Sequence, residues 1–230
     1  MRRLIEFSND LLDANLDELS LLGSAIAKRD SDTDAHNYRV TLYSVRLAEA
    51  INPDETLMHS LIKGSFLHDV GKIGIRDDIL LEQGSLDEGQ FSIMKTHVMH
   101  GSDIIKQSAW LKDSLSIVTC HHEKFDGSGY PSGLKGDEIP LVARIFIIAD
   151  VFDALTSIRP YKEAIQLEKS LKIMEKGRGS HFDPKLLDAF LIIAPGLYTN
   201  INNREIEDLR RELDALVHTC FSSSMETLQY

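Results

Sequence analysis

Cysteine is scarce: the 230-residue chain has two, Cys120 and Cys220, too few for a disulfide framework. Cys120 reads as a small buried apolar residue rather than a nucleophile. No apolar run is long enough to cross a bilayer. The opening stretch MRRLIEFSNDLL carries two arginines, but Glu6, Asn9 and Asp10 interrupt the apolar segment that a signal peptide needs. The expectation is a cytoplasmic protein. Basic charge is also in deficit, with 25 Lys and Arg against 36 Asp and Glu, a formal net charge of −11. So acidic a surface argues against sequence-independent binding to long nucleic acid, which relies on basic patches. A small anionic ligand stays open, provided metal ions or a few local cations overcome the average field. There is no G-x-x-x-x-G-K-[ST] phosphate loop, no Ser or Cys triad, no internal repeat and no low-complexity linker.

What is present is a composition with room for a real core, 43% hydrophobic and 27% charged. The apolar pattern is helical almost throughout. Ile5, Leu12, Leu19 and Ile26 recur every seven residues, with Leu4, Leu11, Leu16 and Leu22 beside them, and predict one long amphipathic N-terminal helix. That helix covers a core, or serves as a dimer or signalling linker. Asn52-Pro53-Asp54-Glu55 predicts a helix capped by Asn52 and running to His68, with Gly71 at its end. Ser85-Leu86-Asp87-Glu88 is a second capping-box pattern, opening a helix with Phe91, Met94 and His97. Pro140 precedes the apolar segment LVARIFIIADVFDALTS, where Asp150 and Asp153 share a helix face. Asp183-Pro184 starts a helix that Pro195-Gly196 is expected to break. Ile206, Leu209, Leu213 and Leu216 mark a last helix, and SSSMETLQY is expected to fray. The fold class is all-α. The expected parts are an N-terminal helix over 1–28, a central domain over 29–195 and a C-terminal helical extension over 196–230.

Nine histidines are present. Most fall into an ordered series of His36, His68-Asp69, His97 and His121-His122, followed by Asp150. Each lies on a different predicted helix, and a helical bundle can point them all inward. One histidine on an amphipathic helix is weak evidence, and His59, His100, His181 and His218 are read as ordinary core or surface residues. The combination is far more specific: HDVGK, a further histidine, HHE-x-x-DGSGYP, then IADVFDALT. Imidazole with carboxylate suits iron, manganese, zinc, nickel or cobalt. Five histidines and two aspartates exceed one ion. Two ions about 3.5–4 Å apart, bridged by one aspartate, would share a hydroxide and promote in-line attack on phosphorus.

His68-Asp69 with Gly71-Lys72 resembles the HD superfamily of metal-dependent phosphohydrolases. HHEKFDGSGYP, followed by GLKGDEIPLVARIFIIADVFDALTSIRPYK, resembles its HD-GYP branch, over about Arg29 to Phe190. The resemblance implies an HD-domain helical bundle hydrolysing cyclic dinucleotides, chiefly cyclic di-GMP to pGpG and in some members on to GMP. It implies metal ligands at His36, His68, Asp69, His97, His121, His122 and Asp150, with Asp69 bridging. Lys72 would contact the scissile phosphate and protonate the leaving oxygen. Asp153 would orient a ligand or Lys72. Arg159 and Lys162 match phosphate-holding positions, and Tyr161 between them is read as packing. His121 and His122, adjacent on one helix, would diverge by about 100° and each serve a different metal. In the loop that follows, Gly127 and Gly129 would allow backbone conformations closed to other residues, and Asp126 would hydrogen-bond within the turn. Gly129, Tyr130 and Pro131 form the GYP loop, which the family associates with substrate shaping and with contact to GGDEF-type cyclase domains.

One departure concerns metal count. Members with a third metal have a glutamate four residues before the first histidine, where this chain has Asp32, one methylene shorter. Two ions, iron or manganese first, are expected, with Asp32 an additional candidate ligand. No complete receiver, PAS or GAF domain precedes the HD-GYP part, and a homodimer through the N-terminal helix stays open. So do the mixed 3′,3′-cyclic GMP-AMP as substrate, a weakly active nucleotide- or partner-binding module, and an HD phosphohydrolase of another nucleotide.

Overall fold

The computed structural model describes residues 2–29, 34–51, 54–158 and 163–226. Asp32, Asn52, Pro53, Arg159, Tyr161 and Lys162 lie outside the described residues, as do the side chains of Leu4, Ile5 and Leu11. Among the described residues there is no strand. The helices are α1 Arg2–Ala27, α2 Asp34–Ala50, α3 Glu55–Leu67, α4 Asp77–Leu80, α5 Glu88–Met94, α6 His97–Ile105, α7 Leu115–Cys120, α8 Leu141–Thr156, α9 Leu167–Lys176, α10 Pro184–Ile201 and α11 Ile206–Glu226. A 3-10 turn, Val70–Gly74, joins α3 to α4. No helix of the described residues is long and apolar enough to cross a membrane.

The core is built on α2 and α8, which pack on each other and on α3, α7 and α10. Both are buried around most of their circumference; α8 is apolar nearly all round, whereas α2 also buries His36, Asn37, Arg39, Thr41 and Ser44. In α2, Val40, Leu42, Tyr43, Val45, Leu47 and Ala48 are buried; in α8, Ile145 to Ala149 and Phe152 are. The outer helices show the one-sided pattern. Leu12, Leu19 and Ile26 of α1 bury the seven-residue stripe against the same core, and Leu209, Leu213, Val217 and Phe221 of α11 do likewise from the other end.

Four local expectations are corrected. The cap of α3 is Asp54, whose carboxylate accepts from the Leu57 N–H at 2.7 Å. The cap of α5 is Asp87, paired reciprocally with Gln90, and His97 begins a separate helix. Each run offers two candidate caps, and the side chain that reaches the N3 amide is the one used. Pro195 lies within α10 instead of ending it. A proline there loses one N–H bond and crowds the carbonyl four residues back, but buried Ala194 and Ile201 hold the helix to the core on both sides of it. Finally, α11 continues through Ser222 to Glu226, where fraying is expected, and residues 227–230 lie outside the described residues.

Gly71 does not act as a helix-ending glycine. A Cβ there would lie 1.8 Å from the His97 carbonyl oxygen and 2.3 Å from the Gly101 nitrogen. The 3-10 turn therefore rests directly on the backbone of α6. Its other support is Arg29, just past α1, whose guanidinium donates to the carbonyls of Lys72 at 3.2 Å and Ile75 at 2.6 Å, and also to that of Ile73.

Phe152 joins three helices. Fully buried, it meets Tyr43 of α2 and Phe190 of α10 edge to face, with centroids 5.2 and 5.0 Å away. Phe152→Ala is expected to cost about 3–5 kcal/mol, read as a lowered urea midpoint; a loss under about 1 kcal/mol would mean this junction collapses to fill the cavity.

Candidate metal centre

α8 sets out one wall of the site. Phe146, Asp150 and Asp153 follow at i, i+4 and i+7, so they line one stripe. Phe146 forms an apolar floor beneath the His68 ring, 4.9 Å away, and the His121 ring, 6.2 Å away. His36 comes from α2, His68 caps α3, Asp69 opens the 3-10 turn, His97 starts α6, and His121 and His122 follow α7.

Four imidazoles are tethered the same way. His68 donates its Nδ1 hydrogen to Ser65 O at 2.8 Å, and His97 to Met94 O at 2.7 Å. His121 Nδ1 faces Ile117 O at 3.1 Å and Val118 O at 3.2 Å. His36 Nδ1 donates to Asp153 Oδ2 at 2.8 Å. A carbonyl oxygen or an ionised carboxylate accepts, so each of these rings, when neutral, presents a bare Nε2 lone pair; His68, which Asp69 draws into the charged form, carries a hydrogen on Nε2 as well until an ion displaces it. This is the outer support that metal-ligating histidines use.

The lone pairs converge. His97 Nε2 and His121 Nε2 are 3.3 Å apart, and Asp69 Oδ1 lies 3.5 and 3.7 Å from them. Asp69 Oδ1 is buried without a hydrogen-bond partner. Acceptors facing acceptors at this range repel unless a proton or a metal ion lies among them, and the donor set fits a divalent ion. Two groups have ligand atoms within 4.8 Å of one another: Asp69, His97, His121 and His122 form one; His36, His68 and Asp150 the other. Asp69 reaches both, because its Oδ2 lies 3.0 Å from His68 Nε2 while its Oδ1 faces the first group.

His121 and His122 therefore fall in the same group, against the expectation that each faces a different ion. The reason is local: α7 ends at Cys120, so the pair sits in a turn and not on a continuing helix. Their rings lie 4.0 Å apart.

The charges follow from the packing. Burial works against charge on His68, yet Asp69 and Asp150 outweigh it and raise its pKa to about 9. Burial lowers His97 to about 4, helped by His121. Burial and His121 hold His122 well below the ordinary range. Asp69 is buried but kept ionised by Lys72 and His68, and Lys72 Nζ lies 2.8 Å from its Oδ2.

Asp153 faces His36 and is not paired with Lys72. Arg39, one turn beyond His36, grips Asp153 with Nε at 2.5 Å and Nη2 at 3.0 Å, and Ser157 Oγ donates at 3.0 Å. Asp153 is thus a positioning group behind His36. Sequence reasoning missed Arg39, although its i+3 spacing from His36 was a usable signal.

It also missed Glu123. This fully buried carboxylate accepts from Ser132 N at 2.8 Å and Leu134 N at 3.2 Å, and so ties down the GYP loop. In that loop Gly127 has φ +87°, and Asp126 accepts from Ser128 N at 2.9 Å, as expected. Gly129 is needed for a different reason: a Cβ there would meet Lys124 N at 2.4 Å and Glu123 Cα at 2.5 Å. Tyr130 stacks on His122 with centroids 4.6 Å apart, beside the Asp69 group. Pro131 lines a separate cleft of about 220 Å³ with Val98, Ser102 and Cys120. Among the remaining histidines, His59 stacks on Phe221 and His181 on Phe182, and neither belongs to the two groups.

Comparison with known proteins gives consistent matches. The HD domain family matches residues 20–186. The "Cyclic di-GMP phosphodiesterase response regulator RpfG" of Xanthomonas campestris pv. campestris is 40% identical over 192 residues, which are 83% of this chain and 51% of that protein. The "3'3'-cGAMP-specific phosphodiesterase 2" of Vibrio cholerae is also 40% identical, over 79% of this chain and 35% of that protein. The chain thus spans about half or less of the curated relatives it matches. The crystal structure of a cyclic GMP-AMP specific phosphodiesterase of V. cholerae, V-cGAP3, superimposes with a TM-score of 0.63 at 19% identity, over 84% of this chain and 52% of that one. At that identity the likeness concerns the fold.

Asp153→Asn tests the support behind His36. Burial disfavours the Asp153 carboxylate, but His36 and Arg39 hold its pKa well below the usual carboxylate range. A carboxyl so depressed stabilises the fold above its unfolded pKa of about 3.9, and that contribution fades as pH falls below it. The variant is expected to lose about 3–5 kcal/mol at neutral pH, because the buried Arg39 guanidinium loses the charge that balances it. Its stability should also fall less steeply than wild type below about pH 4. Parallel acid limbs in urea titrations of the two proteins would contradict this.

Proposed function

The chain belongs to the HD domain family, in its HD-GYP branch, and on that premise we propose that it is a metal-dependent phosphodiesterase opening cyclic di-GMP to linear pGpG. The observation that carries the reading is the pair of donor groups spanned by the two oxygens of Asp69. We assign His36, His68, Asp69, His97, His121, His122 and Asp150 as metal ligands, with iron or manganese suited to the mixed imidazole and carboxylate donors. Ions bound there supply a water ionised near neutral pH and positive charge against the phosphoryl oxygens.

The chain's own residues do the rest. Asp153, through its bond to His36 Nδ1, holds that ring with Nε2 towards Asp150, 3.7 Å away. Lys72 stands against Asp69 at the edge of the donor cluster. Its ammonium touches the scissile phosphate and passes a proton to the leaving 3′ oxygen, general-acid help worth about 10²–10⁴ in rate. Tyr130, backed by His122, walls the pocket and limits water. Arg159 and Lys162 are assigned to phosphate contact from motif position, and Asp32 to a third ion on the same ground. The mixed 3′,3′-cyclic GMP-AMP is the second reading, because a relative of that name is as similar as one named for cyclic di-GMP.

The test is hydrolysis by protein purified without oxygen and loaded with Fe(II) or Mn(II), with both cyclic dinucleotides offered and products separated by chromatography. Cyclic di-GMP should be consumed faster, and chelation should stop the reaction. His68→Ala and Asp69→Ala should lose metal and activity together, whereas Lys72→Ala should keep its metal and lose about 10²–10⁴ in rate. Normal metal content in Asp69→Ala would overturn the ligand assignment. Faster turnover of the mixed dinucleotide would make the second reading the correct one.

A further inference from the structure

Lys95 stands out by where its ammonium lies, over the Phe91 and Tyr130 rings beside the Asp69 group. In a chain carrying −11, exposed cations commonly sit beside carboxylates, as Arg46 does with Glu49, Arg76 with Asp78 and Arg211 with Asp208. No carboxylate of the described residues forms an ion pair with Lys95. Its ammonium instead lies 4.5 Å from the Phe91 ring centroid and 5.2 Å from that of Tyr130. Tyr130 in turn stacks on His122, a member of the Asp69 group. Phe91 meets Tyr130 edge to face at 6.1 Å, yet 44% of it remains exposed.

The placement is built, not incidental. Phe91 and Lys95 are four apart across the end of α5, so they share a face. Lys95 precedes His97 by two residues, and His97 is anchored to Met94 O at 2.7 Å. The segment that delivers one donor to the metal centre thus also delivers a half-buried cation and an open aromatic face just outside it. The cation is fixed by two rings, which are weaker partners than an anion and leave its hydrogen-bond donors available.

We propose that Phe91 and Lys95, backed by Tyr130, form a subsite for the non-reacting half of the substrate: Lys95 takes its phosphate and Phe91 stacks its purine. This rests on the phosphodiesterase reading above. A cyclic dinucleotide carries two phosphates and two purines, and chemistry at the metal centre engages one phosphate. The other half needs a cation and a flat apolar surface beside the pocket, and in a protein this acidic an anion would be repelled from most other places.

The experiment compares wild type with Phe91→Ala, Lys95→Met and Lys95→Arg, all metal-loaded, on cyclic di-GMP and on the minimal diester bis(p-nitrophenyl) phosphate, which has no second half. Metal content at the wild-type level reports an intact centre. Phe91→Ala and Lys95→Met are expected to raise KM for cyclic di-GMP by about 5–100-fold, the usual worth of one base stack or phosphate contact. The loss should fall on KM more than on kcat, be much larger than for the minimal diester, and be partly restored in Lys95→Arg. The same substitutions placed in a Lys72→Ala background should weaken cyclic di-GMP binding by a similar factor in calorimetry, a readout that needs no turnover. Unchanged KM and unchanged binding, beside an active wild type, would overturn the subsite alone. Equal losses on both substrates would show Phe91 and Lys95 to be supports of the centre and not of the substrate, which also overturns it. A wild type that neither binds nor hydrolyses cyclic di-GMP would remove the phosphodiesterase reading and this subsite with it.

Discussion

Everything at the centre depends on where four imidazole hydrogens go. Ser65, Met94, Ile117 and Val118 offer main-chain carbonyls, and Asp153 offers a carboxylate; together they take up the Nδ1 hydrogens of His68, His97, His121 and His36. With those hydrogens committed outward, His97 and His121 turn their Nε2 lone pairs inward at one another and at Asp69 Oδ1, while the charged His68 supports the other Asp69 oxygen. Left alone, such a cluster is electrostatically unfavourable. Its cost is met by the helices, whose core packing over-determines the position of every ring. The site is therefore a local conflict maintained by global stability, a common condition of functional centres.

The helices contribute in a specific way. All four carbonyls lie three or four residues before their histidine, within the last turn of a helix or the turn preceding one. Carbonyls at a helix C-terminus have no intrahelical partner, so a histidine placed there satisfies one and gains a fixed tautomer in the same bond. His68 at the end of α3 and His121 after α7 both use this arrangement. Asp69 follows at once in the 3-10 turn, where Lys72 and His68 keep its carboxylate charged despite burial.

Much of this was legible in the order of residues. Helical periodicity located the long helices, because α1 and α11 each bury one stripe and α8 buries nearly all of its surface. The histidines and aspartates now seen in two groups were marked by residue type and by long, specific motifs. What was not legible depends on contacts distant in sequence. Glu123 is an ordinary residue until the loop folds back to place Ser132 and Leu134 against it. Arg39 gains meaning only from Asp153, which lies 114 residues away. Gly71 and Gly129 read as flexible turn residues, yet both are required by a backbone approaching from elsewhere. The two caps were displaced by two residues because each run holds two competent side chains, and the three-dimensional path decides between them. Pro195 misled for the opposite reason: a local rule was overridden by anchoring on both sides.

The contact at Gly71 has a consequence for how such a protein changes over generations. The gap between Asp69 and His97 is set by main chain resting on main chain, with the His97 carbonyl where a Cβ of residue 71 would be. Main-chain atoms are the same whatever side chains the core adopts. Leucines, isoleucines and valines can then be exchanged throughout α2, α8 and α10, and the small shifts they cause move the turn and α6 as one piece. The interior is free to drift in composition while the spacing of the donors stays constant, and position 71 is where a single added methyl group ends that independence.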